Sequence, residues 1–134
     1  MEPIGVYDLV RHWDEVSAIL APAEATDIRT MGQVKVALIT QDMQPWRVPG
    51  GILVTATGNS LRTGLPMLWV LYVAGKAKRE QYRQLSNELD ALVRKSNCAG
   101  LQVEGRRAEK WARVLGGFEH VAGTGDDAIY ARML

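Results

Sequence analysis

The sequence has a single cysteine, almost no net charge and no long apolar run, and each shortage excludes a class of protein. Because Cys98 stands alone, no disulfide can form within the chain, and a lone thiol suits a reducing cytoplasm. The 16 basic and 15 acidic residues leave a net charge of +1. Charge therefore gives no reason to expect nucleic acid or an anionic membrane as a partner. The longest apolar run, residues 65–74, is too short to span a bilayer.

The motifs of several enzyme classes are missing as well. The sequence contains no P-loop, no glycine-rich dinucleotide fingerprint and no nucleophile elbow. His12 and His120 do not lie at metal-ligand spacing from Cys98, so we expect no metal site. Cys98 itself is expected to be a small buried residue rather than a nucleophile. Acidic Glu2 and the absence of a basic segment before an apolar run argue against a signal peptide, so we expect a cytoplasmic protein.

What remains is an ordinary globular composition. The chain is 47% apolar and 23% charged, values that allow a packed core and argue against disorder. A length of 134 residues predicts a single domain over residues 1–134.

The N-terminal third predicts one helix and one strand. Apolar residues recur every three or four positions over residues 6–20, which predicts a helix that ends near Pro22. β-Branched residues with partial alternation predict a strand over residues 33–41. The segment 42–51 is rich in proline and glycine and predicts a loop.

The rest of the chain predicts a mixed sheet. Residues 51–58 and 65–75 are expected to be strands, and the second is apolar on both faces, as in the centre of a sheet. The strongest helical pattern covers residues 78–96 and precedes a short strand at 100–105. A helix over Ala108–Leu115 and strands over 118–122 and 128–133 complete an α+β fold with helices on both faces. We expect the strand at 100–105 to lie parallel to that at 65–75 and to splay away from it at its C-terminal end.

Short motifs in the C-terminal half occur in a characteristic order. They are Gly75-Lys76, Asn97-Cys98, Gly105-Arg106, Trp111, Leu115 and Gly117-Phe118. Their order resembles that of GNAT-like proteins, which have the N-acetyltransferase fold, from tailed phages and prophages. The resemblance covers roughly residues 33–134 and implies the GNAT mixed sheet with helices on both faces.

The resemblance implies acetyl-CoA or CoA as cofactor and an amine, on a small molecule or a protein, as acyl acceptor. In the family, backbone groups of the central strand pair with pantetheine, and the following helix start holds the pyrophosphate. The matching cofactor-binding candidates here are Leu71, Tyr72, Val73, Gly75, Lys76, Lys78 and Arg79. Plain core packing of the strand and a solvated loop beside the helix remain the alternatives.

One feature departs from the family pattern. Typical GNAT enzymes carry Gln/Arg-x-x-Gly-x-Gly/Ala at the start of this helix, where small residues let phosphate approach the backbone. The two small positions fall near Gln81 and Arg83, neither of which is small. The cationic residues at the helix start offer a different way to bind phosphate.

Glu104 is the catalytic candidate, because it lies where the fifth strand of the family ends, beside the acyl-transfer cleft. It could act as a general base, directly or through water. The alternative is an ion pair with Arg106 or Arg107 that fixes a turn. Trp111 lies on the helix where many family members have an acidic tyrosine, and an indole cannot protonate a thiolate. We therefore expect Trp111 to be buried against the sheet together with Leu115 and Phe118.

Two functions remain open after the sequence is read. The first is an acyl-CoA-dependent N-acyltransferase, which the basic helix start favours. The second is a non-catalytic phage structural or assembly protein on the same scaffold, which the missing glycines and tyrosine favour. The second would place the chain with assembly partners or in a homo-oligomer, in the host cytoplasm or the virion.

Overall fold

A computed structural model describes residues 1–24, 30–60, 62–105 and 107–134. In these residues one mixed sheet has seven strands in the order β1-β2-β3-β4-β5-β7-β6. The elements in chain order are β1 (Glu2–Pro3), α1 (Val6–Arg11), α2 (Trp13–Glu24), α3 (Met31–Ile39), β2 (Gln44–Val48), β3 (Gly51–Asn59), β4 (Pro66–Gly75), α4 (Arg79–Lys95), β5 (Gly100–Glu104), α5 (Ala108–Leu115), β6 (Glu119–Ala122), a 3₁₀ turn (Gly125–Asp127) and β7 (Ile129–Met133).

The single helix expected over residues 6–20 is in fact two helices. The backbone leaves helical geometry at His12, with φ −111° and ψ 27°, and α2 begins at the next residue. The apolar stripe nevertheless continues across the break, since Leu9, Val16 and Leu20 are all buried. Pro22 lies inside α2, near its C-terminal end, where the missing N–H removes a single helical hydrogen bond.

The strand expected over residues 33–41 is wrong, because most of this segment forms α3. The hydroxyl of Thr30 accepts a hydrogen bond from the Gln33 amide at 3.2 Å, and the Gln33 side chain accepts one from the Thr30 amide at 2.8 Å. This reciprocal pair is a capping box, a strong helix start. Val34 and Leu38, one helical turn apart, are buried. Local capping therefore outweighs the β-branched composition.

The loop expected over residues 42–51 is also wrong in part, because its centre forms β2, antiparallel to β3. Pro45 is compatible with this strand for a geometric reason. Its carbonyl accepts a hydrogen bond from Ile4 at 3.0 Å, so the side of Pro45 without an N–H faces the short edge strand β1. A proline next to a sheet edge disturbs little of the ladder.

Apart from the short strand β1, which was not predicted, the remaining elements agree with the sequence predictions, including the parallel pair β4–β5. Their register pairs Leu68 with Leu101, Trp69 with Gln102 and Val70 with Val103. Pairing in the described strands ends there, although β4 continues to Gly75. The two strands therefore separate at their C-terminal ends, as expected, and we call this opening the β4–β5 gap.

Each face of the sheet has its own core. Helices α1 to α3 cover one face, and α4 and α5 cover the other. Leu115 is buried in the second core, but the burial expected for Trp111 and Phe118 is wrong, because both are half-buried. Phe118 packs against this core, with the Arg132 guanidinium 5.0 Å from its ring centroid. None of the described helices has both the length and the apolar character needed to cross a bilayer.

Candidate functional site

A bulge in β4 lies at the mouth of the gap. The β3–β4 register pairs Val54 with Tyr72 but Thr55 with Val70, so Leu71 is an extra residue that β3 does not match. The bulge reverses which face each side chain occupies: Val70 packs in the α4–α5 core, whereas Tyr72 packs in the α1–α3 core. The bulged residue leaves the β3 ladder just where β5 pairing has ended, so Leu71 borders the gap with no residue of β3 or β5 in register with it.

The start of α4 is a site of positive potential. The first amides of the helix, those of Arg79 and Glu80, have no acceptor within their own helix, as at any helix start. The side chains of Lys76, Lys78 and Arg79 are exposed around it. The helix dipole and these cations together favour an anion at this position.

Gln81 occupies this helix start in a specific way. Its side-chain oxygen accepts a hydrogen bond from the Lys78 amide at 2.7 Å, so the side chain folds back over the first turn. Gln81 also lines the cleft described below, whereas Arg83 is exposed and does not. Of the two bulky residues expected to obstruct the phosphate position, only Gln81 borders the cleft.

Gly75 is needed by the fold itself. Its φ is +116°, and a Cβ there would lie 2.1 Å from the carbonyl oxygen of Gly50. The Lys76 amide donates to the same oxygen at 3.0 Å, which holds the β2–β3 turn against the end of β4. This close approach accounts for the glycine without a ligand, so a role of Gly75 in cofactor binding stays a prediction.

A narrow cleft runs from the end of β4 to the start of α4. Residues from the β2–β3 turn, the end of β4, α4 and α5 line it: Val48, Pro49, Gly50, Val73, Ala74, Gly75, Lys76, Ala77, Gln81, Tyr82, Leu85 and Trp111. The rings of Tyr82 and Trp111 contact each other across it, with centroids 5.6 Å apart and planes at 58°. The cleft holds about 10 Å³, room for about one water molecule.

The structure brings together only some of the predicted cofactor residues. Val73, Gly75 and Lys76 line the cleft. The Tyr72 side chain is buried on the opposite face of the sheet, and Leu71 packs against that same α1–α3 core. Any contact of Leu71 or Tyr72 with a ligand in the cleft must therefore use the backbone.

Glu104 lies at the gap, directly after Val103, the last β5 residue paired with β4. It is half-buried and pairs with Ile129 on β7. Since Val103 points into the α4–α5 core, Glu104 points to the other face of the sheet. Arg107 is exposed, and Arg106 lies outside the described residues. The choice between a general base and a structural ion pair thus stays open.

Solved structures of similar shape have one fold in common. A chain of the NatC complex bound to Gag peptide and CoA has a TM-score of 0.67 and 13% identity, over 100% of this chain and 99% of that chain. A GNAT-family acetyltransferase from Listeria monocytogenes 4b F2365 has a TM-score of 0.63 and 10% identity, over 98% and 92%. A chain of the AtaT–AtaR complex bound to DNA has a TM-score of 0.52 and 13% identity, over 78% and 82%. The chain has a GNAT-like fold.

Identity this low shows the fold of the protein and nothing finer. The sequence matches no family model, and no curated protein is significantly similar to it. The phage or prophage origin that the C-terminal motifs suggested stays a prediction, because these structural neighbours do not test it.

Cys98, His12 and His120 do not line the cleft. Cys98 is half-buried against the α4–α5 core, and burial raises the pKa of its thiol, which disfavours the nucleophilic thiolate. His120 on β6 contacts the ring of Tyr130 on β7 and the carbonyl oxygen of Gly123, in the turn after β6. No group of three or more potential metal ligands was found within the described part of the chain.

Sequence reasoning overlooked Gln102 on β5. Its side chain is 0% exposed, and neither its amide nitrogen nor its amide oxygen has a hydrogen-bond partner in the described structure. The signal was present in the sequence, since Gln102 is the polar residue inside the apolar segment Leu101–Val103.

Proposed function

We propose that the protein is an acyl-CoA-dependent N-acyltransferase. The observation that carries this proposal is the sequence of features along β4: an unmatched residue at Leu71, the end of β5 pairing at Val70, and the cationic start of α4. A strand with open backbone groups that leads into a helix start suits a ligand with an amide-containing arm and phosphates at its end.

The described residues fit CoA in two respects. Backbone groups at Leu71 to Val73 would hold the pantetheine arm, which itself carries amides. Lys76, Lys78, Arg79 and the first amides of α4 would hold the phosphates. Bound acyl-CoA supplies the acyl thioester. The cleft is narrow, so the side chains of Tyr82 and Trp111 must shift to admit the arm.

The two faces of the gap would bind different substrates, acyl-CoA on one face and the acceptor amine on the other. The cleft lies on the α4–α5 face, whereas Glu104 lies on the other face. An acceptor amine that reaches the gap from the Glu104 side would meet the thioester there. Glu104 would remove a proton from the protonated amine, so that the neutral nitrogen can attack the thioester carbonyl. The C–S bond would break with its electron pair on the sulfur of CoA, and that sulfur would take up the proton that the nitrogen then loses. The neighbours support both partners of this reaction, since NatC is bound to Gag peptide and CoA, and AtaTR is bound with AcCoA.

The first test is the binding of CoA, which is measured by calorimetry at low and at high salt. We expect weak binding, micromolar or above (about −8 kcal/mol or less favourable), that weakens further as salt screens the exposed charges. Replacement of Lys76, Lys78 and Arg79 by glutamine should abolish binding and leave the fold intact.

The matched control replaces three exposed cations far from the cleft, namely Arg11, Arg94 and Lys95, by glutamine. It lowers the net charge by the same amount as the first triple variant. If this control still binds CoA, the loss of binding in the first variant is due to the position of its cations and not to the total charge. No heat and no thermal shift with millimolar CoA would end the acyltransferase proposal. The non-catalytic assembly protein of phage or prophage origin would then be the reading to pursue.

A further inference from the structure

Gln102 is a polar side chain in a position that suits an apolar one. Its neighbours along β5, Leu101 and Val103, are fully or almost fully buried in the α4–α5 core. Gln102 points to the opposite face and is 0% exposed, with both amide atoms unpartnered among the described residues. A buried amide without partners destabilises the fold, because its hydrogen bonds to water are lost and not replaced. An unsatisfied group of this kind calls for an explanation, and a ligand is one.

Trp69 does not provide the missing partner. It is the β4 neighbour of Gln102, but its ring lies over Gly58 on β3, on the side away from β5. A Cβ at Gly58 would be 2.8 Å from the indole nitrogen, which shows how closely the ring approaches that backbone. The indole N–H is itself unpartnered in the described structure.

A cavity opens on the other side of Gln102. Its β7 neighbour is Ala131, which lines a cavity of about 220 Å³ together with residues of the β3–β4 turn, β6 and β7 that include Arg62, Glu119 and Arg132. Adjacent strands lie about 4.8 Å apart, and Ala131 ends at its methyl group. Gln102 itself does not line the cavity, so its amide would reach the space beyond Ala131 by a change of rotamer.

Glu104 lies on the same face as Gln102, one pleat further along β5. Residues two apart on a strand are separated by about 6.6 Å. Glu104 and Gln102 thus follow one another along β5 on the acceptor side of the sheet, and the cavity lies beside Gln102 on the next strand, β7.

We propose that Gln102 binds the acceptor, through the peptide group next to the amine that is acylated. This rests on the proposed function. A carboxamide offers a donor and an acceptor in one planar group, which complements the C=O and N–H of a peptide. Gln102 is uncharged, so it suits a neutral group rather than a carboxylate or a second amine. The acceptor class is therefore a peptide N-terminus: the amine lies at Glu104, and the following residue enters the cavity.

The test uses Gln102→Met, which keeps the length of the side chain and removes its amide. The control is Gln84→Met, because Gln84 is exposed on α4 and lines neither the cleft nor the cavity. The probe is a mixture of tripeptide amides randomised at the first position, with its N-acetylated form and propylamine for comparison. Binding to the protein saturated with CoA is measured by calorimetry and by NMR shift changes. Acetyl transfer from acetyl-CoA is measured separately.

We expect the tripeptides to bind the wild type and Gln84→Met, and to bind Gln102→Met about tenfold more weakly or worse. The affinity for CoA should be unchanged, and the melting temperature of Gln102→Met should be equal or higher. Propylamine, which lacks a peptide group, should bind all three proteins equally poorly.

Two outcomes separate the proposals. If CoA binds but the tripeptides bind Gln102→Met and the wild type equally well, the role of Gln102 is refuted and the acyltransferase proposal stands. If CoA does not bind the wild type, the acyltransferase proposal fails. In that case the tripeptides are tested without CoA. If they bind the wild type and not Gln102→Met, the result still supports the Gln102 site.

Discussion

Replacement of Trp111 by alanine tests whether this residue closes the cleft rather than fills the core. Truncation of a fully buried tryptophan costs about 3–5 kcal/mol. Trp111 is half-buried, and its ring contact with Tyr82 contributes about 0.5–1.5 kcal/mol. We therefore expect the free energy of unfolding to fall by about 2–3 kcal/mol, below the value for a core tryptophan.

The same variant should bind CoA more tightly than the wild type. The cleft holds about 10 Å³ while the Trp111 and Tyr82 rings are in contact, so the ligand must separate them. Without the indole, that contact no longer has to be broken. A contact of about 0.5–1.5 kcal/mol corresponds to roughly two- to tenfold tighter binding.

Urea unfolding and calorimetric titration with CoA measure the two effects. Leu115→Ala is the control, because Leu115 is on the same helix, is buried in the α4–α5 core and does not line the cleft. It should lose about 2–5 kcal/mol of stability without gaining affinity. If Trp111→Ala stays folded but binds CoA more weakly, the indole contacts the ligand and the reasoning about closure is wrong.

Three further predictions concern stability and are measured by denaturant unfolding without ligand. Thr30→Ala should lose about 0.5–2 kcal/mol, because it removes the hydroxyl that caps α3; no loss would mean that the cap is unimportant. Arg132→Ala should lose about 3 kcal/mol, since Arg132 pairs with Asp90 at 2.5 Å and donates to the Gly116 carbonyl at 2.7 Å; a loss below about 1 kcal/mol would contradict this. The triple glutamine variant at the α4 start should be as stable as the wild type or slightly more stable, because like charges beside a helix N-terminus repel; a clear loss would indicate structural contacts.

The C-terminal half was predictable because its local signals agree with its tertiary environment. The apolar face of α4 contains Leu85, Leu89 and Val93 at helical spacing, and all three are buried. Asn97, just beyond the helix, has φ +56°, a left-handed conformation that asparagine tolerates well. Where propensity, periodicity and end signals indicate the same element, tertiary packing has nothing to override.

The N-terminal errors arose where two local signals disagreed or where pairing decides the structure. Val34 and Val36 suggested a strand, but Thr30 and Gln33 were a capping box already visible in the sequence. For β2 the sequence contains no comparable local signal. Its prolines and glycines indicate a loop, and the segment becomes a strand because β3 pairs with its whole length. Such a non-local contact is not encoded in the segment itself.

The bulge at Leu71 could not have been predicted from residue pattern. β4 is apolar on both faces, so insertion of one residue leaves the sequence equally apolar before and after it. The insertion is apparent only from the register, in which β3 passes from Thr55 to Val54 while β4 advances by two residues, from Val70 to Tyr72. Sequence reasoning therefore named β4 as the strand of the candidate site, but it could not identify the bulge, which only the register shows.

The two departures from the GNAT pattern are changes of side chain, at Gln81 and Trp111, whereas the gap is formed by the backbone. Gln81 covers the helix start through one hydrogen bond to Lys78, and Trp111 closes the cleft through one ring contact with Tyr82. Each is an interaction of about 1 kcal/mol that a competing ligand can replace. The bulge, the separation of β4 from β5 and the start of α4 are fixed by the sheet and do not depend on either side chain. The side chains of Gln81 and Trp111 are therefore expected to weaken ligand binding rather than remove it, which is why we expect CoA affinity to be low but measurable.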